Sequence, residues 1–178
     1  MEKYELTVDD VKNGINRILA DAYASSTISA NPKIMYITSG PGAGKTSIVM
    51  HLKQQFKEEK ERAYSIDSDS IAEFHPYYDE LLQELPEVCY TETRKFVRPA
   101  TPLIFEELIK NKINIINENV LNKGKNDLDQ MRKFKDNGYK VSISILPPDL
   151  LESRLSCFER ESAMLQAGIT PRGGSKET

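Results

Sequence analysis

Apolar residues first recur at helical spacing at Val11, Ile15, Ile18, Leu19 and Ala22. The preceding Thr7-Val8-Asp9-Asp10 reads as a capping box that lacks its Glu, so the pattern predicts a helix ending near Ser25-Ser26. Asn31-Pro32 then breaks the chain ahead of a short β-rich run, Lys33 to Thr38. A glycine-rich turn spans Gly40 to Gly44, and from Thr46 an amphipathic stretch carries Ile48, Val49, Leu52 and Phe56 on one side. Its far end, Lys57 to Arg62, is charge-dense, as expected of a solvated helix face.

Ala63 to Ile66 is a second strand candidate, closing on Asp67-Ser68-Asp69. The middle of the chain is helical in pattern, with Pro76, Pro86, Pro99 and Pro102 marking element boundaries or kinks. Leu103 to Lys110 leads into a third strand, Ile113 to Ile116, which ends at Glu118. Leu128 to Lys135 is a further helix, capped by Asn137-Gly138. Val141 to Ile145 forms a fourth strand, and after Pro147-Pro148 a long helix runs from about Asp149 to Ala167, ended by Gly168.

Strands alternate with helical segments of crossover length. That order implies an α/β fold with a mainly parallel central sheet and helices on both faces. With 178 residues, the chain is expected to be one domain, residues 1–178, with a polar, glycine-rich mobile lid or tail at 168–178. The missing terminal element after Gly168 carries the expectation that the chain is C-terminally truncated.

Composition narrows the function classes. Hydrophobic residues make up 39% and charged residues 29%, which fits a packed core with a solvated surface. No apolar run approaches the ~18 residues of a membrane span, and the charged opening Met1 to Glu5 has no apolar run behind it to act as a signal peptide. A cytoplasmic protein with no membrane partner is expected. Cys89 and Cys157 have no paired spacing, so neither a disulfide framework nor a cysteine zinc site is supported. With 24 basic and 27 acidic residues the net charge is −3, which argues against a nucleic-acid partner.

The sharpest chemistry lies in Ser39-Gly40-Pro41-Gly42-Ala43-Gly44-Lys45-Thr46, followed by Ser47, between a strand and a helix. Glycines there let successive N–H groups turn inward around a polyphosphate, and the helix adds its positive N-terminal end. Lys45 supplies a mobile charge for the β- and γ-phosphates, and the Thr46 hydroxyl can ligate Mg²⁺. Ser39 stands where the strict pattern has its first glycine. Residues Gly40 to Ser47 are therefore the candidate ATP-binding set.

Asp67 and Asp69 lie at the carboxyl end of the second strand, where open α/β sheets bind ligands. Either could position Mg²⁺ or take a proton from an attacking hydroxyl, and Asp67 could equally be the cap of a following helix. The assignment adopted is Asp69 as base and Asp67 as a metal contact. Glu118 ends the third strand, either organising Mg²⁺ and water or simply solvated. His75 is a candidate for substrate contact, although a lone His is more often structural. Arg160, late on the last helix, and Arg172, in the tail, could clamp a phosphate from a lid or be ordinary surface charges.

Taken in order, the phosphate loop, Ile66 to Ser70, His75-Pro76, Glu118, Arg160 and Arg172 resemble the zeta-toxin family of bacterial toxin–antitoxin systems, over about Lys33 to Arg172. The resemblance implies a P-loop kinase-like fold and ATP with Mg²⁺. It also implies transfer of the γ-phosphate to the 3′-hydroxyl of the sugar in UDP-N-acetylglucosamine, and a cognate antitoxin as partner. Lys45 and Thr46 match the family's nucleotide and Mg²⁺ residues, Asp69 its base, and Arg160 and Arg172 its two phosphoryl-stabilising arginines; His75 and Glu118 fall on the substrate side. One departure stands out: where the family has Glu-Gly-Thr-x-Arg, this chain reads Glu118-Asn119-Val120-Leu121-Asn122. The Thr and Arg that help hold the sugar are absent. The alternatives are a kinase with another small-molecule acceptor and a non-enzymatic nucleotide-binding switch.

Overall fold

The computed structural model describes residues 2–38, 45–122, 124–146 and 150–166, with no side-chain description for 2, 150–153, 160 and 165. Four parallel strands, β1 (Lys33–Thr38), β2 (Tyr64–Ile66), β3 (Ile115–Glu118) and β4 (Lys140–Ile145), form one sheet in the order β2-β3-β1-β4. After a 3-10 turn at Glu2–Tyr4, seven α-helices accompany them among the described residues: α1 (Val8–Ser25), α2 (Lys45–Glu58), α3 (Ser68–Ala72), α4 (Tyr78–Glu84), α5 (Pro86–Lys110), α6 (Lys125–Asp136) and α7 (Leu150–Gln166).

Alternation along the strands sorts the core onto two faces. Ile34 and Tyr36 of β1 and Ile115 of β3 pack with Ile18 of α1, Phe96 and Leu108 of α5 and Phe134 of α6. On the opposite face Ile37 and Ile116 meet Val49, Leu52 and Phe56 of α2. Helices on both faces of a parallel sheet, as the sequence pattern implies, are what is found.

Several boundaries differ from the sequence expectation for identifiable reasons. Pro99 and Pro102 do not end an element; both lie inside α5. Each proline costs about 3 kcal/mol in a helix interior, but Phe96, Val97, Ile104, Phe105, Leu108 and Ile109 of this helix are all buried, at roughly 1.5–3 kcal/mol apiece. Burial outweighs the lost backbone bonds. Pro86 stands in the first turn of α5, where its missing N–H costs nothing. The third strand starts at Ile115 rather than Ile113, because Ile113 instead forms an antiparallel bridge with Ile28. At the start of α1, Asp10 takes the place of the missing Glu: the Thr7 N–H donates to its carboxylate at 2.9 Å and the Asp10 N–H donates to Thr7 Oγ1 at 3.1 Å.

Candidate active site

The chain leaves β1 over β3 to reach β2, and leaves β3 over β1 to reach β4. With crossovers of one hand, α2 and α6 fall on opposite faces and the crevice opens between the carboxyl ends of β1 and β3. That end of the sheet is tightly laced. The Asn119 N–H donates to the Ile37 carbonyl at 3.0 Å, the Thr38 hydroxyl to the Val120 carbonyl at 2.9 Å, and the Leu146 N–H to the Thr38 carbonyl at 3.0 Å.

Beyond Thr38, residues Gly40, Pro41, Gly42, Ala43 and Gly44 lie outside the described residues. Lys45, Thr46 and Ser47 form the first turn of the 14-residue α2, with Thr46 and Ser47 exposed. The hydroxyls and N–H groups of a helix N-terminus are thereby presented beside the crevice.

Glu118, the last residue of β3, is in register with Ile37, and Ile66 with Asn117. One step further, Asp67 comes alongside Glu118. Burial, and then the Asp67 charge, push the Glu118 carboxyl above the usual carboxylate range, while the Lys45 and Lys53 ammonium groups pull it back. Two carboxylates and two lysines thus share one electrostatic site at the switch point.

Asp67 is the N-cap of α3. Its Oδ1 accepts the N–H groups of Asp69 at 2.6 Å and Ser70 at 2.8 Å, and its own N–H donates to Ser70 Oγ at 3.0 Å, completing a capping box. The capping role considered from sequence is real. Asp69, one residue into α3, is exposed.

His75 is placed elsewhere. Only 3% exposed, it packs edge-on to Phe96 with ring centroids 6.1 Å apart, and its Nδ1 accepts the Tyr77 N–H at 3.1 Å. Burial holds its pKa below the ordinary histidine value, against the pull of Glu92 and Asp10. The imidazole thereby packs the Pro76 turn against α5, the structural role also weighed for it in the sequence. Arg160 falls within α7, but its side chain, like the whole of Arg172, lies outside the described residues.

Lys53 went unnoticed in the sequence. The only signal was its spacing, two i+4 steps from Lys45, which keeps both near one side of α2. Among the described residues no group of three or more His, Cys, Asp or Glu side chains is arranged to hold a metal ion, and no helix is long and apolar enough to cross a membrane.

The chain matches the family model described as Zeta toxin over residues 16–178. It is 27% identical over 177 residues to Toxin PezT of Streptococcus pneumoniae, covering 97% of this chain and 69% of that protein. The fold is similar to a structure from the PezAT chromosomal toxin–antitoxin system of Streptococcus pneumoniae, with a TM-score of 0.82 at 24% identity over 94% of this chain and 68% of the other. A putative kinase from Chloroflexus aurantiacus shares the architecture more loosely, with a TM-score of 0.51 at 12% identity over 79% of this chain and 71% of that one. With the α2 N-terminus, Asp67 and Glu118 gathered at the switch point of such a sheet, and a family match spanning nearly the whole chain, the protein belongs to the zeta-toxin family.

Proposed function

We propose that this chain is an ATP-dependent kinase that phosphorylates a sugar hydroxyl of a nucleotide sugar, with the 3′-hydroxyl of UDP-N-acetylglucosamine as the acceptor that family membership favours. The observation that carries the reading is the shared site of Glu118, Asp67, Lys45 and Lys53 at the end of β3 and the start of α2. Cationic groups and a helix N-terminus there suit a polyphosphate, and the carboxylates beside them suit the acceptor end.

Gly40 to Ser47 wrap the ATP phosphates, and Lys45 balances charge on the β- and γ-groups. The oxygen donors available, the exposed Thr46 hydroxyl with Asp67 and Glu118, are the hard ligands Mg²⁺ prefers, used alongside substrate phosphates rather than in an all-protein cage. Bound there, Mg²⁺ would supply charge neutralisation at the transferring phosphoryl group. Asp69 accepts the proton of the attacking hydroxyl. The hydroxyl oxygen bonds to the γ-phosphorus, the bond from phosphorus to the β–γ bridging oxygen breaks, and ADP leaves. Arg160 and Arg172 stabilise the equatorial oxygens. An antitoxin protein is the partner.

The Glu118-Asn119-Val120-Leu121-Asn122 segment favours a second acceptor reading. Its backbone is tied to β1 through Asn119 and Val120, Leu121 sits at φ 50°, and neither a Thr nor an Arg follows Glu118 to hold the sugar. Another small hydroxyl compound is the alternative.

The test is incubation with ATP, Mg²⁺ and a panel of nucleotide sugars, read by mass spectrometry for an added phosphoryl group. Asp69→Asn should lower turnover by ~10²-fold or more with ATP affinity retained. Phosphorylation of a different acceptor selects the second reading. Nucleotide binding without transfer to any acceptor refutes both and favours a switch.

A further inference from the structure

We propose that the open edge of β2 docks an extended, acidic polypeptide segment, which adds to the sheet as a further strand. Among the described residues, the strand order leaves β2 unpaired on one side. Its backbone directions are fixed by what it bonds on the other. The Tyr64 N–H donates to the Asn114 carbonyl at 2.8 Å, the Arg62 N–H to Thr27 Oγ1 at 2.9 Å, and the Thr27 N–H to the Arg62 carbonyl at 3.1 Å. Successive peptide groups of a strand face opposite ways, so those of Ala63 and Ser65 face the open edge. An unpaired row of this kind is a template for another chain.

Both residues line a groove of about 450 Å³, walled by Asp21 of α1, Lys53 and Lys57 of α2, and Arg62. None of these three cations forms an ion pair among the described residues. Neighbouring carboxylates are engaged elsewhere: Glu59 with Lys33, and Glu61 with Ser29 and Asn114. Among the described residues Asp21 is the only acidic wall residue, and it faces the Tyr64 hydroxyl, whose pKa it helps burial to raise. Lys53 also acts on Glu118, which leaves Lys57 and Arg62 against Asp21, and that excess selects an acidic occupant.

The edge backbone selects a polypeptide over a free anion: Ser65 is half-buried, and Ala63, only 7% exposed, opens onto the groove alone. Ala63 and Ser65 present carbonyl acceptors as well as N–H donors, and an inorganic anion has no N–H to give the carbonyls. A second copy of this chain would bring the same cations to its own β2, so like charges oppose self-pairing.

The experiment uses a fluorescein-labelled peptide of alternating Glu and Val, about ten residues long and so ~33 Å when extended. Fluorescence anisotropy should show saturable binding to the wild-type chain, weakened about tenfold or more in the Lys57→Glu/Arg62→Glu variant. Alternate N-methylation of the peptide should abolish binding, and a Lys–Val peptide should not bind. Hydrogen exchange at Ala63 and Ser65 should slow when the Glu–Val peptide is bound. Absence of binding overturns the proposal, as does equal binding of the N-methylated or the Lys–Val peptide, or unchanged exchange at both amides. Where the charge-reversed variant fails to fold, the N-methylated peptide and the exchange measurement on the wild-type chain still decide the question.

Discussion

Asp67 caps α3 and, on the proposed function, also serves the metal site, and substitutions there separate the two roles. Its Oδ1 accepts the N–H groups of Asp69 and Ser70 at 2.6 and 2.8 Å, on a helix of only five residues. Asp67→Ala leaves both donors without that acceptor, a loss of about 1–2 kcal/mol. For a domain of this size that lowers Tm by roughly 2–8 °C. Asp67→Asn keeps an amide oxygen in the capping position, where Asn is as good a cap as Asp, so it should cost under about 1 kcal/mol, the macrodipole contribution of the lost charge. Its effect on catalysis should be disproportionate, because the charge beside Glu118 is gone: the Mg²⁺ requirement should rise. With the Asp67 charge removed, the Glu118 pKa falls back toward the ordinary carboxylate range, so the acid limb of the pH–rate profile should move to lower pH. Urea denaturation followed by circular dichroism gives the stability of the three proteins, and transfer rates against Mg²⁺ and pH give the rest. If Asn proves as destabilising as Ala, the cap argument is wrong. If Asn retains the wild-type Mg²⁺ dependence and pH profile, the Asp67 charge has no part in the site.

Glu118→Gln removes a carboxylate whose pKa is raised in the folded state by burial and by Asp67. A raised folded pKa contributes stability that is present below the unfolded value and lost as pH rises through the folded one. Relative to the Gln variant, the wild type should therefore lose Tm as pH rises through that range; a calorimetric pH series with the opposite slope refutes this. Gly14→Ala should destabilise by about 1–3 kcal/mol, since the new Cβ would lie 2.5 Å from Phe96 Cζ and 3.2 Å from the Phe74 carbonyl; wild-type stability on denaturant unfolding would contradict that packing. Among the described residues the buried Tyr36 hydroxyl has no hydrogen-bond partner of good geometry, although Asn117 lies beside it. Tyr36→Phe should be neutral to stabilising by about 1–2 kcal/mol, and a loss above about 1 kcal/mol in urea melts would show that the hydroxyl is satisfied after all.

Local pattern determined a good deal. Lys33–Thr38 and the amphipathic stretch from Thr46 were legible as the strand and helix now seen as β1 and α2, and Gly40 to Thr46 between them marked the candidate phosphate loop, because backbone turn, charge and helix start must be contiguous to work. The alternation of strands with crossover-length helices specified a parallel sheet, because the connections permit little else. Properties that depend on distant neighbours were decided only by the tertiary structure. Pro99 and Pro102 signal breaks locally, yet α5 continues through both because its buried face contributes more than the missing bonds cost. His75 left a structural and a substrate-contact reading open in the sequence, and only the fold shows it buried against Phe96, 21 positions later. Asp67, Glu118 and Lys53 come from three elements, and no spacing along the chain announces that their charges act on one another. Strand order brings them together, and burial at the end of β3 is what gives Glu118 its altered acidity.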